Sequence, residues 1–348
     1  MAERRPPLPG PAGRWIEAAY RGVVGRRNRA FDGGKRVTRF RVPVISVGNL
    51  SVGGTGKTPM VKAIVEQLVA SDHQPAIAMR GYGSARGTAS DEQLEYLDRF
   101  PDVPVVAQPN RVAGLTALLD GRDDIDCVVL DDGFQHRFVA RDLDIVLLDA
   151  SRDPTHERCL PAGWLREPMG ALGRAHVAVL THCERVDPDA CTRIENACRA
   201  VAPHLLICRT RHGWSGLRRD DDTEPTSWLR GKRVVAVSAI GNNEAFLHAA
   251  EAHGATIVSR LRRRDHHRWT EADARRISTL FGDRADAVIT TEKDWVKLRA
   301  VLTEGDVPVV RPLLTLEFDA GAEELRSAVF RTAGRQREPE RDTLHRDV

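Results

Sequence analysis

Apolar residues in this chain come in short, nearly continuous runs, separated by polar stretches of helical period. From Arg41 onward seven runs read as strands buried on both faces: VPVISVGN, PAIAMRG, VPVVAQ, CVVLDD, DIVLLDA, HVAVLT and HLLICRT. Helical stretches lie between several of them, such as the one after Lys57. This alternation predicts βαβ units and a doubly wound, mostly parallel α/β sheet. The polar stretch RRDDDTE, Arg218 to Glu224, reads as a domain linker. Beyond it VVAVSAIGN, ATIVSRL, DAVITTEKD and VPVVRPLLTLEF predict a second, smaller C-terminal α/β domain. The expected organisation is a Pro-rich disordered arm over 1–13, a basic amphipathic helix region over 14–40 and a core over 41–217. The smaller domain then covers 218–330, and a charged, disordered tail covers 331–348.

Within RWIEAAYRGVVGRRNRAF, Ile16, Ala19, Tyr20, Val23 and Val24 follow the spacing of one helical face. Arg14, Arg21, Arg26, Arg27 and Arg29 lie among and after them, while Gly22 and Gly25 weaken the helix. Two readings stand at this point. The helix lies on an anionic lipid surface, or it packs on the protein and exposes a solvated basic face.

Charge sharpens that choice. The net charge of +3 conceals eleven Lys or Arg and three acids in residues 1–41, about +8, which leaves about −5 for the rest. A basic arm on a slightly acidic body points to a negatively charged partner. Aromatic residues are sparse there (Trp15, Tyr20, Phe31 and Phe40) and no nucleic-acid motif occurs, so no nucleic-acid partner is expected. No apolar run reaches membrane-spanning length and no signal-peptide core precedes the helix. None of the six cysteines forms a C-x-x-C pair, and Cys127 lies in an apolar run that predicts burial. A reducing, cytosolic compartment is expected. With 41% hydrophobic residues over 348 positions, the chain can bury a sizeable core.

The strongest chemical signal is VISVGNLSVGGTGKTPMVKAIVEQL, an apolar strand, a Gly-rich turn and a helix opened by Gly56-Lys57-Thr58. This is the context of a phosphate-binding P-loop. Backbone N–H groups of Ser51, Val52, Gly53, Gly54, Thr55 and Gly56 would close around phosphate oxygens, and the helix N-terminus adds its dipole. Lys57 would reach the β- and γ-phosphates, and Thr58 would offer its hydroxyl to Mg²⁺. Ser51 departs from the strict pattern G-x-x-x-x-G-K-[ST], which has glycine there. Downstream, CVVLDDGFQHR ends an apolar run in Asp131 and Asp132. Carboxylates at a strand end beside a P-loop can hold Mg²⁺; the alternative is a charged strand end without metal. No Asn-Lys dipeptide occurs, so the guanine-reading N-K-x-D pattern is absent and ATP is the expected nucleotide.

SVGNLSVGGTGKTP, RGYG (80–83), LDDGFQH, LPAGWLREP and TTEKDWVKL occur in this order, and together they resemble the tetraacyldisaccharide 4'-kinases of lipid A biosynthesis over about residues 14–320. The P-loop of that family also lacks the first glycine, so Ser51 departs from the general motif and not from this family. The resemblance implies transfer of the ATP γ-phosphate to the 4'-hydroxyl of an acylated glucosamine disaccharide 1-phosphate. It also implies Mg²⁺, a P-loop core with a smaller C-terminal domain, and peripheral attachment to the cytoplasmic face of the bacterial inner membrane.

The family's G-D-E-P segment corresponds here to Ser90-Asp91-Glu92-Gln93, and its Asp-His to Asp265-His266. A sugar hydroxyl is a poor nucleophile at neutral pH, so a carboxylate oriented with a histidine is a sensible proton acceptor. Asp91 is the expected base and His266 its partner. The alternatives are that Ser90-Asp91 opens a helix, DEQLEYLDRF, and that His266 belongs to a solvated basic surface with His267 and nearby arginines. Arg111 and Arg166 are candidates for substrate phosphate, and Gln135 and His136 for orienting substrate or water. Glu292, Lys293 and Asp294 are candidates for nucleotide contact. A rival reading is a membrane-docked nucleotide-binding switch without lipid kinase activity.

Overall fold

The computed structural model describes residues 6–34, 36–81, 90–220, 222–265, 267–302 and 307–335. Every apolar run named above forms a strand. The strands are β1 (Val44–Asn49), β2 (Pro75–Met79), β3 (Val105–Ala107), β4 (Cys127–Asp131), β5 (Leu143–Asp149), β6 (Val177–Thr181) and β7 (Leu206–Arg219), then β8 (Asp222–Glu224), which is not one of those runs, β9 (Arg233–Ser238), β10 (Thr256–Arg262), β11 (Ala287–Thr290) and β12 (Val309–Ala320). The helices are α1 (Pro11–Asp32), α2 (Lys57–Val69), α3 (Asp91–Arg99), α4 (Arg111–Asp120), α5 (Pro188–Val201), α6 (Asn243–Ala252), α7 (Glu271–Phe281), α8 (Glu292–Leu298) and α9 (Ala322–Ala333).

The chain divides into two compact units. The first comprises residues up to Arg80, Asp102–Arg211 and the chain from Leu316 onward; the second comprises Gly81–Pro101 and His212–Thr315. This division differs from the linear one expected from sequence. The segment with α3 joins the second unit, and α9 returns to the first, where Leu325 and Val329 are buried.

In the first unit the strands run β3-β2-β4-β1-β5-β6-β7, and all neighbours are parallel. β1 stands between β4 and β5, so the connection from β4 to β5 steps across it. Ligand crevices in such sheets open at the C-terminal strand ends where the order reverses. β1 is buried along its whole length. Val44, Ala76, Val128 and Leu130 pack with Leu115 and Leu119 of α4, and farther along the same face Val146, Leu148 and Leu180 pack with Ile194 and Cys198 of α5. Cys127 is buried, as its apolar run predicts.

In the second unit β10, β9, β11 and β12 are parallel neighbours. β9 alternates between two cores with the period of a strand. Val234 and Ala236 meet Phe246 and Leu247 of α6, and Val235 and Val237 meet Ile277 of α7.

Three local expectations change. The stretch read as a linker is a β-hairpin, in which β8 pairs antiparallel with the end of β7 (Leu217↔Glu224, Arg219↔Asp222). Asp220 turns at φ 51, a left-handed conformation that Asp tolerates, so acidic residues here make a turn. The first helix begins at Pro11, inside the arm expected to be disordered, because Pro at a first helical position has a suitable φ and no N–H to satisfy. At the other end α9 extends to Ala333, past the expected start of the tail; residues 336–348 lie outside the described residues.

Candidate active site

The P-loop leaves β1 at Asn49 and enters α2 at Lys57. Gly53 and Gly56 hold φ of 127 and 87, a region open to glycine and strained for other residues. Ser51 is not among the positive-φ residues, which is why a side chain is tolerated where the general motif has glycine. The loop is fixed from three sides. Asn49 Nδ2 donates to Thr55 Oγ1 at 2.9 Å, and the buried Thr181 Oγ1 donates to the Thr55 carbonyl at 3.0 Å. The LPAGWLREP segment pairs with the loop's first half: Val52 N–H donates to the Trp164 carbonyl at 2.8 Å, and Arg166 N–H to the Leu50 carbonyl at 2.6 Å.

The turn after β4 packs directly on β1. A Cβ at Gly48 would fall inside contact distance of Phe134, and one at Gly133 would collide with Ser46 Oγ. Gly133 N–H donates to the Val47 carbonyl at 3.1 Å, and Asp132 holds φ 54. These glycines therefore set the close approach that brings Asp132 to the P-loop lysine.

Around Asp132 the charges converge. Lys57 Nζ lies 3.6 Å from Asp132 Oδ1, and Arg166 Nη1 lies 3.0 and 2.9 Å from its two oxygens. The same Arg166 nitrogen donates to Gln135 Oε1 at 3.3 Å, and Gln135 Nε2 donates to the Asn49 carbonyl at 2.9 Å. Burial alone would raise the Asp132 pKa, but Lys57, Arg166 and Arg111 outweigh it and hold the carboxyl below its ordinary range. Lys57, Asp132, Gln135 and Arg166 thus form one hydrogen-bonded and ion-paired group.

Arg111 behaves differently from the expectation of a substrate contact. It is 3% exposed, and its Nη2 donates to the carbonyls of Asp131 and Asp132 at 3.1 and 3.4 Å. Burial pulls its pKa down despite the two aspartates. Its geometry is that of a brace under the Asp131-Asp132 turn. His136 Nε2 is buried without a hydrogen-bond partner among the described residues. Burial first, then Arg111, Arg141, Arg27 and Arg80, pushes its pKa down to about 4, so the ring is neutral at pH 7.

Helix α1 borders this group. Tyr20 Oη donates to the Arg166 carbonyl at 2.8 Å, Arg27 Nη2 to the Gln135 carbonyl at 2.9 Å, and Asn28 Nδ2 to Glu167 Oε2 at 2.6 Å. The buried Glu167 in turn accepts from Arg174, whose guanidinium lies 3.7 Å from the Phe134 ring centroid. The apolar positions of α1 therefore split. Tyr20 and Val24 are half-buried, whereas Trp15, Ile16 and Val23 are 80%, 50% and 69% exposed. Among the described residues no helix is long and apolar enough to cross a membrane.

In the second unit Asp91 occupies the first turn of α3, capped by Ser90, whose Oγ accepts from Gln93 N–H at 3.2 Å. Its Oδ2 lies 2.9 Å from Lys297 Nζ. His266 lies outside the described residues. Asp294 does not face a ligand: it is fully buried and accepts from Ala239 N–H, Trp269 Nε1 and Thr291 Oγ1 at 2.9, 3.3 and 2.7 Å.

Sequence reasoning missed Asn49, Thr181 and Arg152. Arg152 approaches Gly53, its Nη1 3.5 Å from where a Cβ would stand, and its guanidinium lies 5.7 Å from the Trp164 ring centroid. Its one sequence signal is its place just after a strand that adjoins the P-loop strand. A separate group of potential ligands, His73, Asp126 and Cys127, is internally paired through a 2.7 Å contact between His73 Nδ1 and Asp126.

Comparison with known proteins bears on this geometry. The family model described as tetraacyldisaccharide-1-P 4'-kinase matches residues 14–332. A tetraacyldisaccharide 4'-kinase of Anaeromyxobacter dehalogenans is 35% identical over 335 residues, covering 90% of this chain and 88% of that protein. One from Geobacter sulfurreducens is 38% identical over 313 residues, covering 82% and 84%. The structure of LpxK from Aquifex aeolicus in complex with ATP aligns with a TM-score of 0.72 at 27% identity, covering 91% of this chain and 97% of that one.

Proposed function

Because the chain belongs to the tetraacyldisaccharide-1-P 4'-kinase family, we propose that the group around Lys57 and Asp132 is its phosphoryl-transfer centre. The chain is an ATP-dependent kinase of lipid A biosynthesis. It moves the ATP γ-phosphate to the 4'-hydroxyl of a tetraacylated glucosamine disaccharide 1-phosphate. A nucleotide switch without transfer activity is not favoured, since the family match spans both units. The observation that carries the site assignment is the packing of the P-loop lysine against Asp132, Arg166 and Gln135 at the C-terminal edge of β1.

Backbone N–H groups from Ser51 to Gly56 and the N-terminus of α2 receive the phosphates. Lys57 stabilises charge on the transferring group, and Asp132 orients it beforehand. The hydroxyl of Thr58 and the carboxylates of Asp131 and Asp132 are hard oxygen donors, the set that suits Mg²⁺. Asp131 ends β4 in register with Val47 of β1, which puts those donors beside the loop. Mg²⁺ held there would neutralise phosphate charge. Asp91, with His266 as partner, accepts the proton of the 4'-hydroxyl while the new O–P bond forms. The bond from the γ-phosphorus to the β,γ-bridging oxygen breaks, and its electron pair leaves with ADP. Gln135 and the neutral His136 supply uncharged contacts for the acceptor sugar. Arg166 and Arg111 keep the turn and its carboxylates in place.

Membrane contact is part of this reading. Trp15, Ile16, Ala19 and Val23 share one exposed face of α1, with Arg14, Arg21, Arg26 and Arg29 beside it. Such a face suits the boundary of an anionic bilayer. Peripheral attachment at the cytoplasmic face of the bacterial inner membrane follows for an enzyme whose acceptor is a lipid and whose donor is ATP.

The test is transfer of label from γ-³²P-ATP with Mg²⁺ to tetraacyldisaccharide 1-phosphate in detergent micelles. Wild type should label the lipid. Lys57→Ala should lose about 10²–10³-fold, and Asp91→Ala about 10²–10⁴-fold. Wild-type rates from Lys57→Ala would overturn the assigned centre.

A further inference from the structure

The motif TTEKDWVKL forms α8 and the residues around it, and both of its lysines pair with carboxylates. Lys293 and Lys297 are four residues apart, so they project from one face of α8. Lys297 Nζ donates to Asp91 Oδ2 at 2.9 Å, and Lys293 Nζ donates to Asp265 Oδ1 at 2.9 Å. One short helix therefore holds both the residue read as the base and the residue preceding position 266. We propose that Lys297 is a positioning residue for Asp91, holding its carboxylate ionised and in a single orientation for proton acceptance. This rests on the reading of Asp91 as the base.

The contact is built into the unit's packing. α3 lies against α8, and both belong to the second unit. Asp91 and Asp98 are two helical turns apart on α3 and so share a face. Asp98 is gripped by Arg299 Nη1 at 2.7 Å and Arg218 Nη1 at 3.5 Å. Two acids of α3 are thus tied to cations from the α8 region, which fixes the helix in register and rotation. The side chains of Lys297 and Asp91 are 15% and 20% exposed, so water screens the pair only in part.

Among the described residues, charged groups near Asp91 come from α3, α8 and β7. Its own helix contributes Glu92, Glu95 and the distant Asp98, and acids close to a carboxylate disfavour its ionised form. The first-turn position on α3 favours the ionised form through the helix dipole. From α8 come Lys297, in contact, and Lys293, already paired with Asp265. Asp294 of α8 faces inward to Ala239 and Trp269. From β7 comes Arg218, directed to Asp98 and Glu292. Lys297 is a cation in direct ion-pair contact with Asp91. A base works only when deprotonated, so removing this cation raises the pH at which Asp91 becomes competent.

The experiment is the pH dependence of kcat for the full chain with MgATP and tetraacyldisaccharide 1-phosphate in micelles. It compares wild type with Lys297→Met, Lys297→Gln, Lys297→Arg and Asp91→Asn. In both neutral Lys297 variants the acid limb should move up by about one pH unit. The rate on that limb should fall about 10-fold, with KM for ATP unchanged, and Lys297→Arg should restore the wild-type limb. The midpoint of the limb does not depend on the folded fraction, so a destabilised variant still reports. An unmoved limb in Lys297→Met and Lys297→Gln, with Asp91→Asn inactive, would overturn the role of Lys297 and leave the base assignment standing. Activity of Asp91→Asn near wild type would overturn the base assignment itself.

Discussion

Arg166 Nη1 lies 2.9 Å from Asp132 Oδ2 while Lys57 Nζ lies 3.6 Å from Asp132 Oδ1, so one carboxylate bridges two cations at the mouth of the P-loop. Removing its charge leaves Lys57, Arg166 and the buried Arg111 facing one another. Asp132→Asn should lower kcat by about 10²–10³-fold and also lower Tm. The pH dependence has a definite sign. The folded-state pKa of Asp132 is depressed, so its contribution to stability is complete above the ordinary carboxylate pKa, about 3.9, and is lost as pH falls through the lower folded value. The Tm gap between wild type and Asp132→Asn should therefore be constant from pH 8 to 5 and close below about pH 4. Thermal scans across that range check it.

His136 has the same sign in a higher pH range, with the neutral form favoured by folding. Its folded pKa is pushed down to about 4, against about 6.5 in an unfolded chain. Between these values the unfolded state binds more protons, so stability rises with pH there and is lost as pH falls from 6.5 towards 4. His136→Gln, which cannot charge, should show a smaller drop in Tm between pH 7 and pH 5 than wild type. The imidazole NMR signals of His136 should also stay in the neutral form through that interval.

The exposed face of α1 makes a prediction that does not disturb the site. Deleting the helix would also remove the bonds from Tyr20, Arg27 and Asn28 to the Arg166–Gln135 region. Replacing only Trp15, Ile16 and Val23 with Ser changes side chains that point to solvent. The triple variant should keep its Tm within a few degrees yet cosediment about 10-fold less with anionic liposomes, given the apolar area lost. Binding of the wild type should weaken with salt as the arginines are screened. Unchanged cosedimentation of the triple variant would defeat the membrane reading.

Asp294 should matter for stability. Asp294→Ala would leave the Ala239 N–H and the Trp269 indole N–H without their buried acceptor. The expected cost is about 2–4 kcal/mol, read by urea unfolding, with ATP affinity of the folded fraction unchanged.

These outcomes separate what a linear pattern can carry from what it cannot. All eleven apolar runs became strands, because burying both faces of a parallel sheet demands continuous Val, Ile, Leu and Ala, and that demand is written locally. The P-loop was legible for the same reason: strand, glycines, lysine and helix are contiguous, and the backbone conformations at Gly53 and Gly56 follow from residue type. The position of Asp131 at the end of a buried strand was legible from the apolar run before it.

Partnership between distant segments was decided by tertiary structure alone. Nothing in PNR marks Arg111 as buried beneath the Asp131-Asp132 turn rather than open to a ligand; that depends on α4 packing against the sheet. The acids of RRDDDTE look like a linker until β8 folds back on β7. The split of α1 into a face bonded to the site and an apolar face left bare follows from which side meets Arg166, Gln135 and Glu167. The contact of Lys297 with Asp91, 206 positions away, needs two helices to pack first. Hydrophobic period and backbone geometry act over a few residues, so sequence determines them. Ion pairs and hydrogen bonds between elements depend on side chains the fold brings within about 3 Å, and only the folded chain sets those distances.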